Sequence, residues 1–537
     1  MASLFETDCI RYSETGKFSK TVLDYVSGAN TLRPFYEHPV NIEGIKAAVS
    51  DRKKNGTNRQ VLVDQLLLQY EGLQTGEQVK ANIQSLLTED TFTICTAHQP
   101  NIFTGHLYFI YKIAHVIKIA SFLNKEIPDN HFVPVFFVGS EDADLAELNH
   151  VTVDGKLYQW NTNQTGAVGR MKVDKALLAL IDDMSGRLKA EAFGEQLVEM
   201  IRTCYKENTT IERATFLFVN QLFQRYGLLV LLPDNAAFKR ETLSIFEEDI
   251  FNNSSSGIVE QTSDALAKNY KAQAHARDIN LFYLKDSIRN RIIRSGERFL
   301  VDQTEIVFTG DELKKELHDN PERFSPNVIL RGLFQETILP GVAFVGGGGE
   351  LAYWLQLKDL FKHFETPFPV LVLRNSALIL QQKYVDRCRR LRITPRDLFK
   401  PEIEVLNDLV RRDNGEITSL EVEMNDLRSI FDQLATKAGD IDPTLSDHVA
   451  ALHAQQNKKL LALEKKMKRA ARNKLTAEKN QLDILLRTLF PDGGLQERTE
   501  NFMLFYALWG DAFITNVVDH SLVFEQLFCI LSEKPAQ

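Results

Sequence analysis

Glu141, Asp142, Asp144, Glu147, Asn149 and His150 crowd one ten-residue stretch of the chain. So many acids repel one another unless they are hydrated, hold a metal or meet a cationic group. The composition suits a magnesium site, an anchor for a substrate ammonium, or general-base work on an amine. The ordinary alternative is a solvated helix start, where acids are favoured by the helix dipole. Glu141, Asp142, Asn149 and His150 are the candidate catalytic residues.

A second segment, Ala97-His98-Gln99-Pro100-Asn101-Ile102-Phe103-Thr104-Gly105-His106, places a Gly beside a His before a helix. Helix-end amides and an imidazole can both stabilise phosphate oxygens. Gly105-His106 matches the end of the His-x-Gly-His turn of synthetase-type nucleotide sites, but Phe103 takes its first position. His98, Gln99, Thr104, Gly105 and His106 are therefore candidate nucleotide ligands. The run Gly346-Gly-Gly-Gly349-Glu350 lets backbone amides approach an anion closely. It is not a Walker loop, because no Gly-Lys-Ser/Thr follows, and it lacks the third glycine of the dinucleotide pattern. A tight turn needing left-handed angles is the competing reading. Upstream, Asn327, Arg331, Gln335 and Glu336 fall roughly on one helical side, with Arg331 able to fork onto a carboxylate or phosphate. Arg374-Asn375-Ser376 offers the same chemistry.

These segments follow continuous apolar runs at 91–97, 131–138, 341–345 and 369–373, and a fifth run occupies 227–232. Apolar strands separated by helical stretches imply a parallel sheet covered on both faces, which binds ligands at its carboxyl edge. A long helix is expected over 107–123, and shorter ones before residue 90 around a loose polar stretch at 51–58. Two stretches read as insertions. One near 151–210 carries a hairpin at 151–160. The other, near 240–330, has a Ser-rich turn at 252–257 and a hairpin around Ser295-Gly296.

Residues 395–490 differ in kind. Ile417, Leu420, Met424, Leu427, Phe431 and Leu434 follow coiled-coil spacing, and Leu460, Leu463, Met467 and Ala470 resume it after a break at 439–443. The first arm is acidic (Glu416, Glu421, Glu423, Asp426, Asp432) and the second basic (Lys458 to Lys474), which favours an antiparallel hairpin or pairing with a second protomer. The basic run lacks interleaved aromatics, so nucleic acid is not an expected partner. After 491–494 the chain turns apolar again, and 502–513 should repack on the core.

The 537 residues are 44% hydrophobic and 25% charged with a net charge of −9, which excludes a disordered chain and argues against one that wraps nucleic acid. No apolar run approaches the roughly 20 residues of a membrane span. The N-terminus has acids where a secretion signal has its apolar core. A cytoplasmic protein is expected. Cys9, Cys95, Cys204, Cys388 and Cys529 lie far apart, so neither a disulfide framework nor a thiolate zinc site is expected.

With these segments in view, the chain resembles the cysteine-adding enzymes of bacillithiol biosynthesis along nearly its whole length. The likeness is carried by Phe18-Ser-Lys-Thr-Val-Leu-Asp-Tyr25, by His98-Gln99 with Leu107-Tyr-Phe-Ile-Tyr-Lys112, and by Glu141-Asp142-x-Asp144-x-x-Glu147-x-Asn149-His150. It continues in Phe324-Ser-Pro-Asn-Val-Ile-Leu-Arg331, in Val345 to Trp354, in Arg374-Asn-Ser376 and in Leu489-Phe-Pro-Asp-Gly-Gly-Leu-Gln-Glu-Arg498. The chain has Ala143 where the family often carries His, and His106 where it often carries Pro.

The resemblance implies an α/β fold. Its Rossmann-like parallel-sheet core would carry two inserted connecting-peptide segments and a C-terminal antiparallel coiled-coil arm supporting a homodimer. The expected division is 1–150 and 211–240 as core, 151–210 and 241–325 as insertions, and 326–394 as core with the glycine turn. The arm then spans 395–490, and 491–537 returns to the core. The activity implied is the last step of the pathway, a carbon–nitrogen ligation of cysteine to glucosaminyl-malate. ATP or ADP is the expected nucleotide, magnesium a compatible ion, and zinc is not expected. Tyr108, Asn327, Arg331, Gln335, Gly347, Gly348, Glu350, Tyr353, Trp354, Arg374, Asn375 and Ser376 are the candidate substrate-binding residues. The rival readings are a non-catalytic nucleotide-binding dimer that recruits a partner, and a metal-dependent hydrolase using Asp142, Asp144 and His150.

Overall fold

The structure, a computed structural model, describes residues 3–414 and 419–535. The five apolar runs become the strands of one sheet, numbered in chain order: β1 Thr91–His98, β2 His131–Val138, β3 Leu229–Leu231, β4 Gly341–Gly346 and β5 Val370–Leu373. Every residue of β1, β4 and β5 is buried, as a parallel sheet covered on both faces requires. All neighbours pair parallel, in the order β5-β4-β1-β2-β3. The order reverses between β1 and β4, and there an open α/β sheet leaves a crevice beyond its carboxyl ends. The Rossmann-like core is thus present.

Helix α1, Tyr108–Glu126, follows β1; α2 is Ala236–Arg240, α3 is Val328–Ile338 and α4 is Gly348–Trp354. Asn327 starts α3 by accepting the Ile329 amide at 2.8 Å.

Several local expectations change. A strand at Phe5–Ile10 precedes the N-terminal helices. Of the stretch expected to be loose at 51–58, residues 55–58 are not helical, but helix Ile42–Lys54 takes up the first half. The cause is Arg52, which lies 3% exposed against fully buried Glu336 at 2.8 Å and also donates to the Gly341 and Glu336 carbonyls. The Ser-rich turn reduces to one left-handed residue, Asn253 (φ 54°), after which Ser254–Ala267 is helix. Serine suits a helix start because its hydroxyl competes for backbone amides. The first hairpin pairs His150–Val153 with Lys156–Gln159 around Asp154-Gly155, both at positive φ, a left-handed Asp-Gly turn that matches strand twist. The second insertion holds the expected hairpin of Ile288–Ser295 and Arg298–Val301, with Leu281–Lys285, Val307–Thr309 and Phe324–Pro326 completing an antiparallel sheet.

Met1–Leu378 with Gly494–Cys529 forms one unit, and Ile379–Gly493 with Ile530–Gln537 another. In the first, Met503–Trp509 and Asp511–His520 return as helices with Phe502, Phe505 and Phe513 buried. The second is helical over α5 Glu402–Asn414, α6 Glu421–Gly439, α7 Thr444–Lys474 and α8 Thr476–Leu489. Helices α6 and α7 pair as a hairpin that turns at 440–443. Its seam differs in part from the expected one. Met424, Leu427, Phe431, Leu460 and Met467 are half-buried, but Leu434 and Leu463 are exposed and Ala435 and Glu464 point inward instead. Ala470 is exposed and Ala471 buried. A straight helix drifts off a strict seven-residue repeat, which shifts the inward position by one. Phe431 stacks on His453 at 5.1 Å. Among the described residues no ion pair joins α6 to α7, so the hairpin rests on its seam rather than on the opposite charge of its arms. Glu416 and Ile417 lie outside the described residues. No helix among the described residues is long and apolar enough to cross a membrane.

Candidate functional site

A cleft of about 390 Å³ opens at the carboxyl ends of β1 and β4, where the strand order reverses. Its floor is apolar, with Phe137, Val138 and Phe334. Its two sides carry opposite charge.

The cationic side is built by strand ends and helix starts. Lys112, one turn into α1, is buried among apolar neighbours and extends to the β1 end. There it donates to the Ala97 carbonyl at 2.7 Å and pairs with Glu350 at 2.5 Å. Glu350 also accepts the Gly347 amide at 2.8 Å, which fixes the start of α4. None of the four glycines has a positive φ, so the run is not a left-handed turn. It is required for close approach. A Cβ on Gly346 would meet the Phe344 ring at 2.9 Å, and one on Gly348 would meet Val22 at 2.8 Å. A Cβ on Gly347 would enter the cleft between Glu350 and Arg374, at 3.5 and 3.6 Å. Arg331 on α3 donates to the Tyr353 hydroxyl at 2.5 Å. Arg374, just past β5, is locked by buried Glu497 at 2.7 Å and by the Asn375 carbonyl and Ser376 hydroxyl, and it lies over the Tyr108 ring at 4.8 Å. Arg498 completes this lining, whereas Arg289 reaches the cleft beside the acids Glu141 and Asp142. Burial and the neighbouring Arg374 hold the Arg498 guanidinium below its ordinary pKa.

The acidic side starts where Gln99 reaches from the β1 end to Asp142 at 3.0 Å and to Glu147 at 3.4 Å. Burial and the Asp142 charge raise the Glu147 pKa, as a base for an ammonium requires. Glu141 is differently placed. It pairs at 2.5 Å with Lys239 of α2, which is fully buried and also donates to the Phe324 carbonyl. Between the two sides sits His98, 7% exposed, its Nε2 without a hydrogen-bond partner among the described residues. Burial, then Lys112, push its pKa well below the usual imidazole value, so at neutral pH it is an uncharged group facing the cleft.

The cleft thus gathers His98, Gln99, Tyr108, Glu141, Asp142, Asn327, Arg331, Gly347, Gly348, Glu350, Tyr353 and Arg374 from the sequence candidates. The others lie elsewhere. Thr104 is fully buried, and the Thr104, Gly105 and Leu107 amides already donate to the Asn101, Ile102 and Glu500 carbonyls. Gly105 (φ 68°) is there for its turn, since a Cβ would sit 2.8 Å from that of Asn101. These amides therefore cannot cradle phosphate in the cleft. His106 bonds the Thr499 carbonyl and lies 6.3 Å from the ring of His150, which opens a strand. Asn149 bonds the Trp160 carbonyl, and Gln335 bonds Glu336. Trp354 stacks on Phe344, Asn375 ties down Leu522, and Ser376 holds Arg374. Ala143 is half-buried between Asp142 and Asp144. Among the described residues no three His, Cys, Asp or Glu side chains converge as metal ligands, and Asp142, Asp144 and His150 are not brought together. Asp144 instead accepts the Glu147 amide and starts a short helix. Lys112, Arg289 and Arg498 were not singled out. A single lysine within the apolar stretch Phe109–Ile117 is the signal that marks the first, whereas nothing local marks the other two.

Behind the acidic side, Glu212 is pushed up to about 8, by burial first and then by Asp234 and Glu141, against the opposing charge of Arg170. Arg170 forks onto Asp234 with two bonds of 2.7 Å. A carboxyl whose folded pKa exceeds its unfolded value stabilises the fold fully below the unfolded pKa, and this contribution is lost as pH rises through about 8. Each such proton contributes a slope of at most about 1.4 kcal/mol per pH unit. Urea unfolding between pH 5 and 8 should therefore show a flatter pH dependence for Glu212→Gln than for the wild type. Parallel slopes would mean Glu212 is already ionised at pH 5.

The match to known proteins spans both units. Residues 5–375 match the family model described as the bacillithiol biosynthesis BshC N-terminal Rossmann-like domain, and residues 377–533 match its C-terminal coiled-coil domain. Relatives named "Putative cysteine ligase BshC" come from Cytophaga hutchinsonii, with 37% identity over 94% of this chain and 94% of the relative. Flavobacterium johnsoniae has one with 34% identity over 98% and 99%, and Christiangramia forsetii one with 36% identity over 98% and 99%. With its Rossmann-like core, its helical hairpin and these matches along both, the chain belongs to the BshC family of bacillithiol biosynthesis.

Proposed function

We propose that the protein is a cysteine ligase that joins the carboxyl of cysteine to the amine of glucosaminyl-malate, with ATP activating the carboxylate. The observation that carries the reading is that one cleft presents both guanidinium groups and carboxylates, Arg331 and Arg498 together with Asp142 and Glu147. The acceptor carries the matching charges, a dicarboxylate at one end and an amine at the other. Arg331, Arg498 and the glycine turn suit the malyl carboxylates, since a guanidinium forks onto a carboxylate with two parallel bonds. Asp142 and Glu147 suit the amine, first as counter-charge and then as acceptor of the proton released when nitrogen attacks. Glu141, already committed to Lys239, keeps the acidic side in place.

Carboxylates do not acylate amines unaided, and ATP supplies the leaving group. Neutral His98 is the group the cleft presents to phosphate. The oxygen-only donors Asp142 and Glu147 fit magnesium rather than zinc. The test is direct. Purified protein given ATP, magnesium, cysteine and glucosaminyl-malate should yield bacillithiol by mass, and Asp142→Asn should yield little. Absence of product across varied nucleotides and metals would overturn the reading.

The helical hairpin leaves Val422, Ile430, Leu434, Leu452 and Leu463 from 40% to 66% exposed. Two-helix hairpins are marginal alone, and a two-fold homodimer is the commonest closed assembly. A homodimer through this region follows as part of the proposal. Replacing Val422 and Ile430 by Asp spares the inner seam and should lower the mass seen by light scattering to that of a monomer. A wild-type protein already monomeric at micromolar concentration sinks the idea.

A further inference from the structure

Two cysteines 520 residues apart in sequence meet in the first unit. Cys9 Sγ lies 2.9 Å from Cys529 Sγ, a sulfur-to-sulfur hydrogen bond between thiols. The other cysteines have no such neighbour. Cys95 points at the Thr96 carbonyl and Cys204 at Gln221. All three are buried, which raises their thiol pKa values, as the hydrogen bond to Cys9 and burial also raise that of Cys529. Cys9 is half-buried and Cys529 buried, so one thiol of the pair is within reach of a small reagent and the other stands behind it.

We propose that Cys9 and Cys529 form a reversible thiol–disulfide exchange site for low-molecular-weight disulfides, whatever reaction the cleft performs. The Cys9 thiolate attacks one sulfur of the reagent RS–SR, forming the Cys9–SR bond and releasing RS⁻. Cys529 then gives its proton to a leaving thiolate and attacks Cys9 Sγ, forming the Cys9–Cys529 bond and releasing the second RS⁻. Two protein thiols are oxidised, one reagent disulfide is reduced to two thiols, and the two protons end on them. The attacking and resolving sulfurs need to close by roughly 0.9 Å to reach bond length, a movement a strand end can supply.

The placement gives the bond a consequence at the cleft. Tyr12, three residues after Cys9, donates from its hydroxyl to the Arg374 carbonyl at 3.2 Å. The ring of Phe528, next to Cys529, packs edge-on against Tyr12 at 6.5 Å. A Cys9–Cys529 bond would fasten both segments that hold this tyrosine against the backbone of the cleft arginine.

The experiment uses the wild-type full chain incubated natively with glutathione disulfide as the probe. Unreacted thiols are then alkylated and peptides mapped by mass with and without dithiothreitol. The expected result is one cross-linked pair, the Cys9 peptide joined to the Cys529 peptide, fully released by dithiothreitol added before unfolding. Cys95, Cys204 and Cys388 should be alkylated only after unfolding. Cys9→Ser should take up no glutathione, and Cys529→Ser should keep it as a persistent adduct on Cys9. The proposal is overturned if both thiols stay alkylatable, if the wild type stops at the glutathione adduct, or if release requires denaturant.

Discussion

Arg374→Ala should lower the stability of the first unit by about 3–5 kcal/mol, the range for removing one partner of a buried ion pair. Both members are shielded, with Arg374 side chain 3% and Glu497 0% exposed. Truncation takes the guanidinium from the Glu497 carboxylate, which keeps the Ala377 amide at 3.1 Å, and strips the Asn375 carbonyl and Ser376 hydroxyl of their guanidinium donor. An exposed pair would be worth about 0–1 kcal/mol, so the measurement distinguishes the two cases. Glu497→Gln should cost a comparable amount, because it leaves the guanidinium uncompensated instead. The two effects should not add. Arg374→Met combined with Glu497→Leu removes both charges together and should be more stable than either single charge-removing variant. Urea unfolding followed by near-ultraviolet dichroism reads all four proteins. A loss below about 1 kcal/mol for Arg374→Ala would show that water reaches the pair.

The same arginine shows how much of the site was legible. Parallel strands are apolar from end to end, so where the run stops the carboxyl edge begins. That alone placed His98, the glycine run and Arg374 at one edge of the sheet, and the acidic segment after β2 beside them. The pairing order of the strands, which the sequence does not print, then decided which of those edges meet. Thr104, Gly105 and His106 were misplaced because residue type does not say which way an amide points. The Thr104 and Gly105 amides are consumed by the turn they build, and the His106 ring bonds the Thr499 carbonyl. Lys239 and Glu497 were invisible for a different reason. Each lies roughly 100 residues or more from its partner, and no local pattern records such a pairing. In the hairpin the spacing was legible but not its phase, since Leu434 and Leu463 carry the right residue type one position from the inward-facing one. The N-terminal strand was missed because its alternation is broken by polar residues, Phe-Glu-Thr-Asp-Cys-Ile.

Arg331→Met should leave the fold nearly intact while removing most recognition of the acceptor. Unlike Arg374, Arg331 makes no ion pair with a carboxylate among the described residues. Its side-chain contact is the Tyr353 hydroxyl, so truncation should cost about 1 kcal/mol of stability. Arg331 lines the cleft, where Tyr353 first and then the Glu350 and Asp142 charges hold its pKa up against burial. Two charge-assisted bonds to a malyl carboxylate are worth about 3–4 kcal/mol, or a fall in kcat/KM on the order of 10²–10³-fold. The loss should appear mainly as a raised KM for glucosaminyl-malate with the KM for cysteine unchanged, because the carboxylates are held alike in ground and transition states. Arg331→Lys keeps the charge but not the fork, and should fall between Met and the wild type. If the KM for cysteine rose instead, Arg331 would belong to the amino acid's carboxylate, and the malyl end would have to lie toward Arg289.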